Sequence, residues 1–307
     1  MQEWQRQQHC VHADMKNNKS SRTITRVVFW IALIGALLCL AVTVGYYWSR
    51  YWSARNYEKL RDEVAQVQSD SVTEAQSEAA GSAPTLEEIE AAEFTGIIDA
   101  PEPKIPEEVL TDAEDHPVDF AKLKEINSEI YAWIRIPGTN IDYPVAQHAG
   151  EDQTYYLKHD LYGTPQFAGC IFSQAPSATD LSDPVTVLYG HNMKNGSMFQ
   201  NLYHFLEEGI LDDEPYVYMY TDGHTFVYRV YAAYYYDDRN ITQVYDFTDH
   251  EDLEKYIEDT KKPRSMSEQT SKIDEVDTED HILTLSTCVA GQPAERVLVQ
   301  AVLEHES

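Results

Sequence analysis

Twenty-two consecutive uncharged residues, Val27 to Trp48 (VVFWIALIGALLCLAVTVGYYW), constrain this chain more than any other feature. As a helix they span roughly 33 Å, enough for a hydrocarbon core of about 30 Å. Trp30 near one end and Tyr46, Tyr47 and Trp48 at the other match the aromatic girdle of a membrane interface. A cleaved leader has a shorter apolar core and a small-residue cleavage site, whereas this run ends in bulky aromatics. Residues 1–26 carry five basic and two acidic side chains. Cytoplasmic flanks are enriched in Lys and Arg, so 1–26 is expected as a cytoplasmic tail and 27–48 as an uncleaved signal anchor. The rest of the chain is then expected outside the cell, held at the cell membrane by a single pass.

The 307 residues carry a formal net charge of −29, from 52 acidic and 23 basic side chains. Nucleic-acid binding needs a basic footprint, so that partner class is excluded. Residues 53–110 hold 14 acidic and four basic groups and are rich in Glu, Ala, Ser and Gln, with prolines at 84, 101, 103 and 106. Such a composition buries too little apolar surface to fold alone. Residues 49–110 are therefore expected as an acidic stalk, and 111–307 as an extracellular catalytic domain. Of the four cysteines, Cys10 falls in the tail and Cys39 in the apolar run, which leaves Cys170 and Cys288 outside. That is no disulfide framework.

Beyond the stalk, short runs of β-type residues alternate with turn signals. A helix is expected at Asp119–Ser128. Strands are expected at Trp133–Ile136, Ile141–Val145, Gly169–Phe172, Val185–Tyr189, Tyr216–Tyr220, Thr225–Tyr236, His281–Thr287 and Arg296–Leu303. Helical insertions are expected at Ser197–Leu206 and His250–Lys261. Many short strands with regular turns imply a mainly β barrel or sandwich. The tyrosines at 216, 218, 220, 228, 231, 234, 235 and 236 are expected to pack the barrel wall.

Three positions carry candidate chemistry. Ile282-Leu283-Thr284-Leu285-Ser286-Thr287-Cys288 is an apolar strand that delivers a cysteine at its end, before the loop Val-Ala-Gly-Gln-Pro. A rigid element aims a nucleophile and a loop admits substrate. Val185–Tyr189 likewise delivers Gly190-His191-Asn192 at a strand end, with Gly190 read as giving the backbone freedom to turn. Arg296 opens the strand after the cysteine loop, and a hairpin would set it beside Cys288. An arginine there stabilises an oxyanion and favours a thiolate. No glycine loop of the phosphate-binding kind is present. The acidic pair Asp237-Asp238 reads as solvated surface, so no metal and no cofactor is expected.

Together, TLSTC ending at Cys288, YGHNM at 189–193 and the Arg296 strand resemble the sortases, the cysteine transpeptidases that attach surface proteins to cell walls. The resemblance covers about residues 115–304. It extends to WIRIPGTNIDYPV at 133–145, and YYLKHD at 155–160, GCIF at 169–172 and SMF at 197–199 are similar to class B members in particular. It implies a sortase-type closed β-barrel of about eight strands with peripheral helices. It implies Cys288 as nucleophile and acyl-thioester site, His191 as general acid/base and Arg296 as oxyanion and substrate stabiliser. Ser286, Thr287 and Asn192 are expected to contact substrate. The implied partners are secreted surface proteins with a C-terminal sorting signal and an amine of a peptidoglycan precursor. A catalytically silent scaffold, a pilin-polymerising enzyme and a hydrolase remain alternatives at this point.

Overall fold

The strand-forming runs of the sequence close on themselves. A computed structural model describes residues 29–45, 48, 55, 57, 59–61, 105–116, 118–213, 215–265 and 267–307. Two units are present, Met1–Trp52 and Ser53–Ser307. In the first, residues 29–45 form helix α1, with nearly every described side chain exposed. Among the described residues no helix is long and apolar enough to cross a membrane. The expected cytoplasmic tail, the ends of the apolar run and residues 62–104 of the expected stalk lie outside the described residues.

In the second unit, α2 (Glu107–Glu114) and α3 (Phe120–Ile126) precede the strands, and Asp119 caps α3 through a bond from the Lys122 N–H at 2.9 Å. The strands are β1 (Ile130–Arg135), β2 (Asp142–Gln147), β3 (Ile171–Ser173), β4 (Val185–Gly190), β5 (Tyr216–Thr221), β6 (His224–Asp237), β7 (Gln269–Thr270), β8 (Ile282–Val289) and β9 (Gln292–Glu306). Their order is β5-β1-β2-β3-β4-β8-β9-β6-β7, and β5 also pairs with β6. That extra pairing closes eight strands into a barrel and leaves the two-residue β7 appended to β6. The fold expected from the sequence is therefore present. Between β6 and β7 lie the short helix α4 (Ile241–Val244) and α5 (His250–Lys261), the latter capped by Asp249. The insertion expected as a helix at Ser197–Leu206 is a 3-10 helix over Phe199–Leu206.

Strand alternation sorts the side chains. Leu283, Leu285 and Val289 of β8 face the barrel interior with Trp133, Val145, Phe199 and Val299. Ile282 faces out, under α5, with Tyr231, Tyr234, Leu253, Tyr256 and Leu298. Beneath α5 the outer wall carries a buried polar network. Tyr256 and Thr284 hydroxyls bond at 2.7 Å, Thr284 donates to Gln300 Oε1 at 2.7 Å, and Gln300 Nε2 donates to the Tyr234 hydroxyl at 2.9 Å. Of the eight tyrosines expected in the wall, six are buried, and Tyr235 and Tyr236 are partly exposed.

Parts of the segment expected as a stalk pack on the barrel. Tyr57 and Leu60 are buried, the Tyr57 hydroxyl donates to the Gly169 carbonyl at 2.8 Å, and Arg61 pairs with Asp142 at 3.3 Å. Ile105 is buried too, and α2 crosses the expected boundary at residue 111. Acidic composition governs the segment as a whole, but these few apolar positions find a core to join.

Candidate active site

Three adjacent strands converge on Cys288. Strands β4 and β8 run parallel, with Gly190 beside Thr287, so His191 leaves β4 next to the end of β8. Strands β8 and β9 run antiparallel, with Cys288 directly opposite Arg296. Opposed residues of an antiparallel pair project on the same face, about 5 Å apart at Cβ. Tyr236 of β6 is in turn opposite Arg296. Cys288, Arg296 and Tyr236 thus form a row across three strands on the outer wall.

The connection that achieves this is tight. Val289 pairs with Gln292 across Ala290-Gly291, where Gly291 has φ +79°. Pro293, Ala294 and Glu295 then bulge out before Arg296 regains register with Cys288. The Arg296 guanidinium donates to the Pro293 and Glu295 carbonyls at 2.9 Å each, so the bulge itself orients the side chain. Among the described residues no carboxylate pairs with Arg296, which leaves its charge for the cleft.

Gly190 serves a purpose other than the one read from sequence. Its φ is not positive, and a Cβ there would lie 2.5 Å from Ile171 Cδ1 and 2.8 Å from the Phe199 ring. Glycine is required for close packing, which holds the strand end that launches His191.

A carbonyl oxygen only accepts, so the 2.9 Å contact of His191 Nε2 with the Leu157 carbonyl places a proton on Nε2. Nδ1 is left to exchange protons. The imidazole also stacks on Phe167 at 5.4 Å between centroids. Burial holds its pKa below the usual histidine value, and the Leu157 carbonyl partly opposes that shift. The backbone carbonyl fills the orienting place that a carboxylate takes in other nucleophile–base constellations.

Of the three expected substrate contacts, each has a protein partner or a place in the cleft. Asn192 Nδ2 donates to the Cys288 carbonyl at 3.0 Å, and the Tyr203 hydroxyl donates to the same oxygen at 3.2 Å. Thr287 is buried and donates to the Gly190 carbonyl at 2.8 Å, tying β8 to β4. Ser286 lines a cleft of about 160 Å³ with Cys288, Arg296, Leu157, Tyr189 and Ile241. Sequence reading missed Leu157, Phe167 and Tyr203, because a backbone carbonyl, a stacked ring and a distant hydroxyl leave no local signature. Among the described residues no group of three or more His, Cys, Asp or Glu side chains is arranged to hold a metal ion.

A thiol and a guanidinium lining one cleft, with an imidazole at the neighbouring strand end, make a site for acyl transfer through a thioester. The family model for the Sortase domain matches residues 134–304, more than half of the chain, and the chain belongs to the sortase family. Sortase B of Listeria monocytogenes is 32% identical over 190 residues, covering 59% of this chain and 72% of the relative. Sortase B of Staphylococcus aureus is 26% identical over 184 residues, covering 59% and 73%. The crystal structure of Clostridium perfringens sortase B aligns with a TM-score of 0.54 at 30% identity, over 60% of this chain and 99% of that one. A Staphylococcus aureus sortase B–substrate complex aligns with a TM-score of 0.54 at 26% identity, over 64% and 90%. The chain is accordingly a sortase of class B type, a transpeptidase.

Proposed function

We propose that this sortase cleaves a C-terminal sorting signal of secreted proteins and transfers the acyl group to an amine of a cell-wall peptidoglycan precursor. The observation that carries this reading is the row that sets Cys288 opposite Arg296 with His191 at the neighbouring strand end.

The geometry supports the following steps. The Cys288 thiolate attacks the scissile carbonyl, since the thiol is a poor nucleophile. Arg296, opposite it and paired with no carboxylate among the described residues, stabilises the oxyanion. His191, protonated on both nitrogens, gives the Nδ1 proton to the departing amine while Nε2 stays bonded to Leu157. The C–N bond breaks and a thioester remains on Cys288. The acceptor amine then attacks this thioester and yields its proton to His191. The C–S bond breaks and the thiolate is restored. One amide replaces another, so no nucleotide energy is required.

The location belongs to the same proposal. Residues 27–48 anchor the chain in the cell membrane, 1–26 face the cytoplasm, and the barrel works outside, joined by the acidic segment from 49 to 110. The uncharged run and its basic flank support this.

The test uses the full chain in detergent and a pool of pentapeptides with Asn-Pro, Leu-Pro or Ser-Pro cores. Intact mass should show a thioester adduct that is absent from Cys288→Ala. An adduct of unchanged mass and yield in Cys288→Ala would move the nucleophile elsewhere.

A further inference from the structure

One short segment, residues 166–170, supports His191 in two ways. Phe167 stacks on the imidazole, with centroids 5.4 Å apart and planes 19° from parallel. Phe167 is 57% exposed, so its place over the imidazole depends on the backbone that carries it. That backbone is a turn, closed by the Gly169 N–H donating to the Gln166 carbonyl at 3.2 Å. Gly169 in turn lies against the oxygen that accepts from His191. A Cβ on Gly169 would stand 2.9 Å from the Leu157 carbonyl oxygen and closer still to that of Tyr156, and its φ is +58°. So close an approach and such a φ both call for glycine. The Cys170 N–H then donates to the Tyr156 carbonyl at 2.8 Å, which ties the segment to the 3-10 turn Tyr155–Leu157. The ring that covers the imidazole and the carbonyl that fixes its tautomer thus share one support.

Tyr57, from the acidic stretch that precedes the barrel, holds this support from its other side. Its hydroxyl donates to the Gly169 carbonyl at 2.8 Å and lies 3.2 Å from the Cys170 sulfur. Its ring packs edge-on against Tyr143 at 5.7 Å. Tyr57 and Leu60 are buried, and Arg61 pairs with Asp142 at 3.3 Å, so the stretch is fixed at three points. A phenylalanine at 57 would fill the same space with no polar atom to bury, so packing alone does not account for the hydroxyl. The path from it to the imidazole is short: the Gly169 carbonyl, the Gly169 backbone against the Leu157 carbonyl, and the bond from His191 Nε2 at 2.9 Å.

We infer that Tyr57 is a positioning residue for His191. By holding the Gly169 carbonyl it keeps the Leu157 oxygen and the Phe167 ring where they orient the imidazole. This role rests on the reading of His191 as proton donor to the leaving amine. It makes the rate of that step depend on a stretch of chain outside the barrel. A misplacement of about 1 Å at a catalytic group costs on the order of 10²-fold in rate, and loss of one support among several costs less.

The experiment compares two leaving groups. Full-length protein in detergent is given the pool peptide that forms the adduct most readily, once as its amide and once with the scissile amide replaced by a phenyl thioester. An aryl thiolate departs without a proton, so the phenyl thioester needs no general acid, whereas the amide does. The amide-to-thioester ratio of the acylation kcat, followed by intact mass, therefore isolates proton donation. His191→Asn should lower this ratio steeply. Tyr57→Phe keeps the ring and removes the hydroxyl; it should lower the ratio at least threefold and leave KM for the amide unchanged. Tyr231→Phe, which loses a buried hydroxyl bond to Thr260 at 2.9 Å in the cluster under α5, should keep the wild-type ratio. An unchanged ratio in Tyr57→Phe would overturn the role of Tyr57, and so would an equal drop in Tyr231→Phe, which would mark a general effect of lost buried bonds. If His191→Asn leaves the ratio unchanged, the proton-donor reading falls and the role of Tyr57 with it. If His191→Asn lowers the ratio and Tyr57→Phe does not, the role of Tyr57 alone falls.

Discussion

Cys288 and Arg296 are directly opposed across β8 and β9, although the two-residue turn between the strands would by itself put Arg296 out of step. The three-residue bulge Pro293–Glu295 corrects the register and binds the guanidinium through two carbonyls. An ammonium cannot keep both carbonyl bonds and still offer a planar donor fork to the oxyanion. Arg296→Lys should therefore lower kcat/KM for thioester formation by roughly 10²–10³-fold, the usual cost of losing an oxyanion donor. Peptide cleavage rates measured beside an unchanged melting temperature check this.

Cys170 and Cys288 differ in environment. Cys170 is buried, accepts from the Tyr57 hydroxyl at 3.2 Å and donates to the His159 carbonyl at 3.4 Å. Burial pushes its thiol well above the usual cysteine range. Cys288 is partly exposed in the cleft. Alkylation with iodoacetamide at neutral pH, followed by peptide mapping, should modify Cys288 and spare Cys170. Equal labelling would show that the Tyr57 segment does not stay docked.

How much of this was legible in the sequence follows from what each feature depends on. The strand of Cys288 and the strand of His191 read clearly because a short apolar β-type run and a chemically capable residue at its end are both local. That the two strands are parallel neighbours is a property of the closed sheet, and 97 residues separate the two side chains. Only the resemblance to sortases joined them. Gly190 was visible, but its reason was not, because the Phe199 ring that excludes a Cβ comes from a helix after the histidine. The same limit applies to Tyr57 and Leu60. An acidic context hides two apolar residues, and the carbonyl that Tyr57 bonds lies 112 positions away.

The Cys288 carbonyl is held from two directions, by Asn192 and by Tyr203. Burial raises the Tyr203 phenol's pKa, which keeps the hydroxyl a donor at neutral pH. Each bond should contribute about 0.5–1.5 kcal/mol to stability. Tyr203→Phe and Asn192→Ala should each slow thioester formation, and the double variant should lose less than the product of the two effects, since both act on one oxygen. Strict multiplicativity in a double-mutant cycle would show that the two side chains act independently.

Two partly buried histidines give stability a pH dependence. Burial lowers the pKa of His191, and it lowers that of His116, which sits against Trp133 and Tyr220 with Asp142 opposing the shift. The folded state then binds fewer protons than the unfolded state, whose histidines titrate near about 6.5. The sign follows from linkage: this stability is fully present above about pH 6.5 and is lost as pH falls through the lower folded values. Urea unfolding at pH 7.5 and 5.5 should show a drop that is smaller in His116→Asn with His191→Asn. An equal drop in that variant would assign the effect to other groups.

Gly190 offers a test of the scaffold apart from the chemistry. A methyl group there meets Ile171 Cδ1 and the Phe199 ring, both on fully buried side chains. The core is close-packed, so the ring cannot yield without moving its own neighbours. Gly190→Ala should cost about 1–3 kcal/mol, the range for overpacking. It should also displace His191, the next residue, and so reduce cleavage more than the loss of folded protein accounts for. Phe199→Leu removes the ring face that the methyl meets. Combined with Gly190→Ala it should restore part of both stability and activity, whereas alone it should destabilise by leaving a void. Thermal melts and cleavage rates on the four proteins decide the matter. If Phe199→Leu makes Gly190→Ala worse, the strain lies with Ile171 instead.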